Sequence, residues 1–310
     1  MMNDQPVIRT QGLTRYFGAR AAVYELNLEV PRGGVFALLG RNGSGKSTTI
    51  RMLLGLLEPT RGGGSILGYD IRALPPEARA RIGYLTEEHQ LYGWMSVRAC
   101  GDFQSRFYPA WNEKIFRGII GHFNLRPTAL VKSLSRGERA GLCLALTLAP
   151  EPELLILDDP AVGLDPVARR SLVESMIYLT RRSDRTIFFS THQLPDVERV
   201  ADHIAVLDRS VLRVCCPLET FRNSIRQVRL RFPGTPPPLP KIPGLLQSFR
   251  SEVELRVTCV HYNGATEAAL RALAPAEMEQ APISLEDAFI GYLGDRGEKS
   301  FILSETEVQS

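Results

Sequence analysis

Short apolar runs punctuate the chain up to about residue 220, and each is bounded by turn residues or by a helical periodicity. Val35 to Leu39, Ile82 to Leu85, Leu154 to Leu157 and Thr186 to Phe189 are continuous enough to be strands buried on both faces of a parallel sheet. Between them, Ile50, Leu53, Leu54 and Leu57 recur at helical spacing until Pro59, and helices are predicted over Glu138–Ala149 and from Pro166 to about Arg182. Strands alternating with helices give an α/β core. The stretches Val7–Gly12 and Val23–Val30 instead alternate apolar and polar positions, as antiparallel strands do. From Ser96 to Leu125 the pattern turns helical, and Phe103, Phe107, Phe116 and Phe123 are expected to pack a local core, so residues 90–150 read as an inserted helical subdomain.

After residue 220 the pattern changes. Strand-like Val228–Phe232 and Val253–Val257 flank a proline-rich stretch from Pro233 to Gly244, and two helical stretches follow, Thr266–Leu273 and Ser284–Leu293. The expected organisation is a large domain over 1–220, a small α+β accessory domain over 221–300 and a polar tail over 301–310.

Composition narrows the possibilities only modestly. A chain of 310 residues with 44% hydrophobic content can bury a sizeable core, and a net charge of +3 makes no case for nucleic-acid binding. Five cysteines lack metal-type spacing, which suits a reducing compartment. The chain contains neither a signal-like N-terminal run nor an apolar stretch of the roughly 20 residues that a membrane helix needs. It reads as a cytoplasmic protein whose membrane role, if it has one, comes through a partner.

The chemistry is concentrated in GRNGSGKST, Gly40 to Thr48, placed between a buried strand and a helix start. In that context Gly40, Asn42, Gly43, Ser44 and Gly45 shape a loop whose backbone N–H groups face phosphate oxygens, with the helix N-terminus at Lys46, Ser47 and Thr48 adding partial positive charge. Lys46 can reach the β- and γ-phosphates and Ser47 can ligate Mg2+. Phe17 or Tyr16, just ahead of this strand, is expected to stack on an adenine ring. Asp158 and Asp159 end the Leu154–Leu157 run, where open α/β sheets place ligand chemistry; Asp158 faces Mg2+ and Asp159 the attacking water. Asp165 caps a helix whose first position is Pro166. His192 ends a further strand and reads as a sensor of the γ-phosphate, whereas His89, His122, His203 and His261 have no such context. Ser135 and Glu138 have capping-box spacing, and beside Gly137 they make an anion-accepting helix start.

In this order and spacing, these motifs resemble the ATPase subunit of ATP-binding cassette (ABC) transporters from about Val7 to Arg213. The resemblance implies a P-loop NTPase, RecA-like ABC ATPase core with an antiparallel β-subdomain and a helical subdomain. It implies ATP and Mg2+ as ligands, with Glu87 joining Asp159 and His192 as catalytic residues and joining Ser47 and Asp158 around the metal. By the same resemblance Leu134 to Glu138 is the family signature, whose Ser135 and Gly137 would contact the γ-phosphate of ATP held by a second ATPase chain. That implies a head-to-tail dimer enclosing two ATP molecules, with Gly163 to Asp165 communicating across the interface and Asp165 counted among the nucleotide-binding residues.

Three departures from the family pattern involve four positions. Glu87 replaces a glutamine, Asp159 replaces a glutamate, and Arg136 and Glu138 replace glycine and glutamine in the signature. One methylene fewer at Asp159 draws its carboxylate back by about 1.5 Å, and misplacement of about 1 Å can cost a hundredfold in rate. The Asp-Asp-Pro strand end and Phe107-Tyr108-Pro109 resemble bacterial ABC-2-type exporters, in which a separate integral-membrane permease forms the channel; Ser284 to Phe289 resembles the end of their accessory domain. The expected function is ATP-driven dimer closure powering export, on the cytoplasmic face of the cell membrane. The alternatives are a weakly hydrolysing nucleotide-gated switch and a soluble, non-transport ABC ATPase.

Overall fold

A computed structural model of the chain describes residues 5–181, 185–242 and 244–293. The expected tail over 301–310 and the predicted helix end at Arg182 lie outside them. The chain divides into two compact units, Met1–Leu212 and Arg213–Ser310.

The first unit opens with β1 (Ile8–Phe17), β2 (Arg20–Leu26) and β3 (Glu29–Val30), then β4 (Gly34–Gly40), α1 (Lys46–Leu53), β5 (Arg61–Ile66), β6 (Tyr69–Asp70), α2 (Pro76–Ala80) and β7 (Ile82–Leu85). An antiparallel sheet has the order β2-β1-β5-β6, with β3 also on β1. The alternation at 7–12 and 23–30 predicts two short strands, but β1 continues through Tyr16 and Phe17. Its register shifts on either side of Arg15, and such a bulge breaks the apolar alternation without ending the strand.

The helical block holds α3 (Val97–Ser105), α4 (Glu113–His122) and α5 (Arg136–Leu148). Ser96, Asn112 and Ser135 cap them with side-chain oxygens, and Ser135 with Glu138 forms the full capping box. Val97, Cys100, Phe116, Ile120, Leu134 and Leu142 share one buried cluster, with Phe123 packed against it. Phe103 and Phe107 do not join it, being 49% and 64% exposed and packed edge-on against each other with ring centroids 5.2 Å apart. The inward stripe of α3 is Val97, Cys100 and Gly101, and the missing side chain at Gly101 is what admits the Phe116 ring. That stripe leaves Phe103 on the outer side.

The unit continues with β8 (Leu154–Asp158), α6 (Pro166–Arg181), β9 (Thr186–Thr191), α7 (Leu194–Val200), β10 (His203–Asp208) and the start of β11 (Val211–Pro217). Five strands run parallel in the order β10-β4-β9-β8-β7. Every residue of β8 and β9 is buried, as sandwiching between helical layers requires. The register sets Leu207 beside Gly40, Leu39 beside Thr191 and Asp158 beside Ser190. The carboxyl ends of the three central strands therefore lie level with the start of the loop after β4.

The second unit comprises the rest of β11, α8 (Leu218–Ser224), β12 (Ile225–Arg231), β13 (Leu245–Arg250), β14 (Glu254–Val260), α9 (Gly264–Arg271), β15 (Glu277–Pro282) and α10 (Leu285–Leu293). Its antiparallel sheet has the order β13-β14-β12-β15. Val228, Leu230, Leu255, Val257 and Cys259 bury one face with Leu270 of α9. The alternate positions carry ion pairs, Arg229 with Glu254 and Glu279, and Arg231 with Glu277.

Gly141 of α5 has no room for a methyl group, because a Cβ there would collide with Cβ and the ring root of Phe123. Gly141→Ala is expected to destabilise the chain by about 1–3 kcal/mol, despite the ~1 kcal/mol by which alanine favours a helix interior. Chemical denaturation checks this; parent-like stability would show that the helical block repacks freely.

Candidate functional site

The loop from Gly40 to Lys46 is shaped by backbone geometry that only glycine adopts easily. Gly43 has φ 78° and Gly45 φ 110°. A Cβ at Gly45 would also strike the Ala22 carbonyl on β2. Gly45 is the N-cap of α1, and no side chain caps that helix. The first N–H groups of α1 are thus available to an anion, with the helix dipole behind them. Lys46 is buried; its Nζ donates to the Gly40 carbonyl at 2.9 Å and stands 3.7 Å from Asp159 Oδ2. The Ser44 hydroxyl is buried against Gly40 without a hydrogen-bond partner and is not part of the cavity wall.

The parallel register delivers the acids to this loop. Asp158 Oδ1 accepts from Ser47 Oγ at 3.0 Å and from Ser190 Oγ at 2.8 Å. Ser190 Oγ in turn accepts from the Asp159 N–H at 2.9 Å, so one hydroxyl orients both acids. Asp159 turns out of β8 with φ 46°, a left-handed conformation that aspartate tolerates better than most residues. Both its carboxylate oxygens lie 3.2 Å from His192 Nδ1, and His192 Nε2 is 3.1 Å from Gln193 Nε2. An amide donor on Nε2 and a carboxylate on Nδ1 fit the tautomer with hydrogen on Nδ1. The position of the Asp159 carboxylate is therefore set by a cation, an imidazole and a strained backbone.

These groups face a cavity of about 560 Å3. Asn42, Gly43, Gly45, Lys46, Ser47 and Thr48 of the loop line it together with Glu87, Asp159, His192 and the exposed Phe17. Tyr16 is not part of the lining, and the Arg15 guanidinium lies 4.9 Å over the Phe17 ring. Gly40 contributes its carbonyl to Lys46, and Asp158 stands behind Ser47. Ser135, Gly137 and Asp165 lie outside the cavity. Asp165 Oδ1 accepts from the N–H groups of Val167 and Ala168, and a Cβ on Gly137 would sit 2.7 Å from Ala168 Cβ and 3.9 Å from Asp165 Oδ2, so the signature and the Asp165 turn are neighbours.

The loop side fits a polyphosphate: glycines leave the backbone bare, the helix start has no cap of its own, and Lys46 adds a buried cation. Ser47, Asp158 and Glu87 are hard oxygen donors of the type Mg2+ takes. Among the described residues no cluster of three His, Cys, Asp or Glu side chains could hold a metal. An ion here would draw its remaining ligands from phosphate and water.

Two residues without a role in the sequence reading stand close to this machinery. Arg20 lines the cavity. His89, two residues beyond Glu87, is 6% exposed with φ 47° and an unpartnered Nε2. Burial pushes its pKa below the usual 6.5, helped by the charge of Arg139, while the Pro160 carbonyl favours the protonated ring. No local motif marks either residue, because their neighbours come from distant segments. Since unfolded His89 takes up a proton that the folded ring resists, stability is expected to fall as pH drops below about 6.5. In denaturation curves from pH 5 to 7, His89→Gln should flatten that slope; an unchanged slope would contradict the burial effect.

Comparison with known proteins places these observations in a family context. The pattern of the ABC transporter family matches residues 23–162. The bacitracin transport ATP-binding protein BcrA of Bacillus licheniformis is 32% identical over 223 residues, covering 71% of this chain and 73% of that protein. The probable multidrug ABC transporter ATP-binding protein YbhF of Escherichia coli is 37% identical over 217 residues, which are 67% of this chain and 36% of YbhF, so the match spans about a third of that longer protein. Among solved structures, an ATP-binding subunit of an ABC transporter has TM-score 0.63 and 29% identity, over 70% of this chain and 92% of that one.

Proposed function

The chain belongs to the family of ABC transporter ATP-binding proteins, and from that premise we propose that it is the ATP-hydrolysing motor of an ABC-2-type exporter whose channel is a separate membrane chain. The observation that carries this reading is the convergence of Lys46, Ser47, Asp159 and His192 on one cavity. Lys46 and the α1 start bind the β- and γ-phosphates of ATP. Phe17 offers its ring to the adenine. Asp159 accepts hydrogen from the attacking water, and His192, held by Asp159 and Gln193, keeps that carboxylate aimed and senses the γ-phosphate through it. Ser47, Asp158 and Glu87 would hold Mg2+, which when bound neutralises charge developing on the phosphates.

Ser135, Gly137 and Asp165 adjoin one another away from their own chain's cavity, which supports their serving ATP in a second copy of the chain across a head-to-tail dimer. No described helix is long and apolar enough to cross a membrane, which supports a peripheral place on the cytoplasmic face beside a permease. The segment from Leu91 to Val97, with Tyr92 and Trp94 62% and 73% exposed, is the docking surface offered to that permease. Residues 1–220 form the motor and 221–300 an accessory domain. The left-handed backbone and short side chain of Asp159 support one further reading, a slowly hydrolysing switch.

With Mg-ATP, Asp159→Asn is expected to accumulate a dimer by size-exclusion with light scattering, and Lys46→Ala to abolish that dimer. A Lys46→Ala chain that binds ATP as tightly as the parent would remove the phosphate loop from the account.

A further inference from the structure

Arg20 opens β2 and is the cross-strand partner of Phe17, the aromatic at the cavity rim. Its guanidinium reaches the phosphate loop: Nη2 lies 3.8 Å from the point a Cβ on Gly43 would occupy, and apart from Gly43 and its chain neighbours no other heavy atom lies within 4 Å of that point. Arg20 is exposed and has no acidic partner among the described residues. The neighbouring Arg15 is differently committed, donating to the Glu58 carbonyl and covering Phe17. The cavity wall thus contains one cation not engaged with the described residues, beside Gly43 of the phosphate loop.

Charge makes the same point. The ionised side chains lining the cavity are Arg20, Lys46, Glu87 and Asp159, which cancel. Without Arg20 the wall would carry a net negative charge, facing a ligand that is itself a polyanion, and that repulsion would be weakly screened within the cavity. Lys46 cannot serve the whole phosphate chain, because it is buried between the Gly40 carbonyl and Asp159. An arginine with a free planar fork is the side chain best suited to take two phosphate oxygens together.

We propose that Arg20 is a nucleotide-binding residue that grips the phosphate chain of ATP from the β2 side of the loop, opposite the face held by Lys46 and the start of α1. The proposal rests on the nucleotide assignment of the cavity and adds a contact that none of the sequence motifs supplies. Because Arg20 recognises phosphate and not the base, it contributes equally to ATP and GTP, and its contribution weakens as salt rises.

Calorimetric titration of the purified chain with Mg-ATP and Mg-GTP, at low and high ionic strength, tests this. Arg20→Ala and Arg20→Gln are expected to raise the Kd of both nucleotides about tenfold at low salt, as losing one charge-assisted hydrogen bond does. Arg20→Lys should recover much of that loss, and high salt should narrow the gap from the parent. Parent-like affinity in Arg20→Ala overturns the proposal, as does a loss confined to ATP or one indifferent to salt. Lys46→Ala serves as the control: if it too binds normally, the cavity assignment fails, whereas loss in Lys46→Ala alone removes only Arg20.

Discussion

The parallel register of β4, β9 and β8 is the constraint on which the rest depends. It sets Asp158 beside Ser190 and Leu39 beside Thr191, so that the loop after β4 and the acids after β8 meet at one end of the sheet. The hydrogen bonds from Ser47 and Ser190 to one oxygen of Asp158 then tie three chain segments together. A slip of one residue in this all-buried sheet would turn the inward side chains over and separate the groups. The burial that stabilises the sheet and the alignment that builds the site are one arrangement.

Around that alignment, each functional group is held by something other than its own strand. Asp159 leaves β8 in a left-handed turn, its N–H fixed by Ser190 and its carboxylate shared between Lys46 and His192. The departure from the family's glutamate therefore concerns reach and backbone together. A shorter carboxylate is carried on a backbone that turns toward the cavity, and the imidazole and the cation limit its freedom. Such holding reduces the reorganisation needed when charge develops during reaction.

The phosphate loop, the paired acids, the Asp165 cap and the strand-end histidine were legible because each is a local pattern: glycines at fixed spacing, acids after an apolar run, an oxygen side chain before a helix. The strand β1 was less legible because a bulge at Arg15 breaks its alternation. Phe103 and Phe107 look like core residues by spacing, yet Gly101 gives the inner position to Phe116 and leaves them outside. Arg20 and His89 could not be found from neighbours in sequence. One matters because of Gly43 on another segment, the other because of Pro160 and Arg139. Local chemistry writes motifs into sequence, while tertiary packing decides which unmarked residues stand beside them.

The most direct test of this account is steady-state hydrolysis of Mg-ATP by the parent chain beside Asp159→Asn and Asp159→Glu. The account predicts turnover in the parent, a loss of about a hundredfold or more in Asp159→Asn with ATP still bound, and activity retained in Asp159→Glu. Parent-level turnover in Asp159→Asn would contradict it, because the carboxylate to which Lys46 and His192 are both directed would then have no part in hydrolysis.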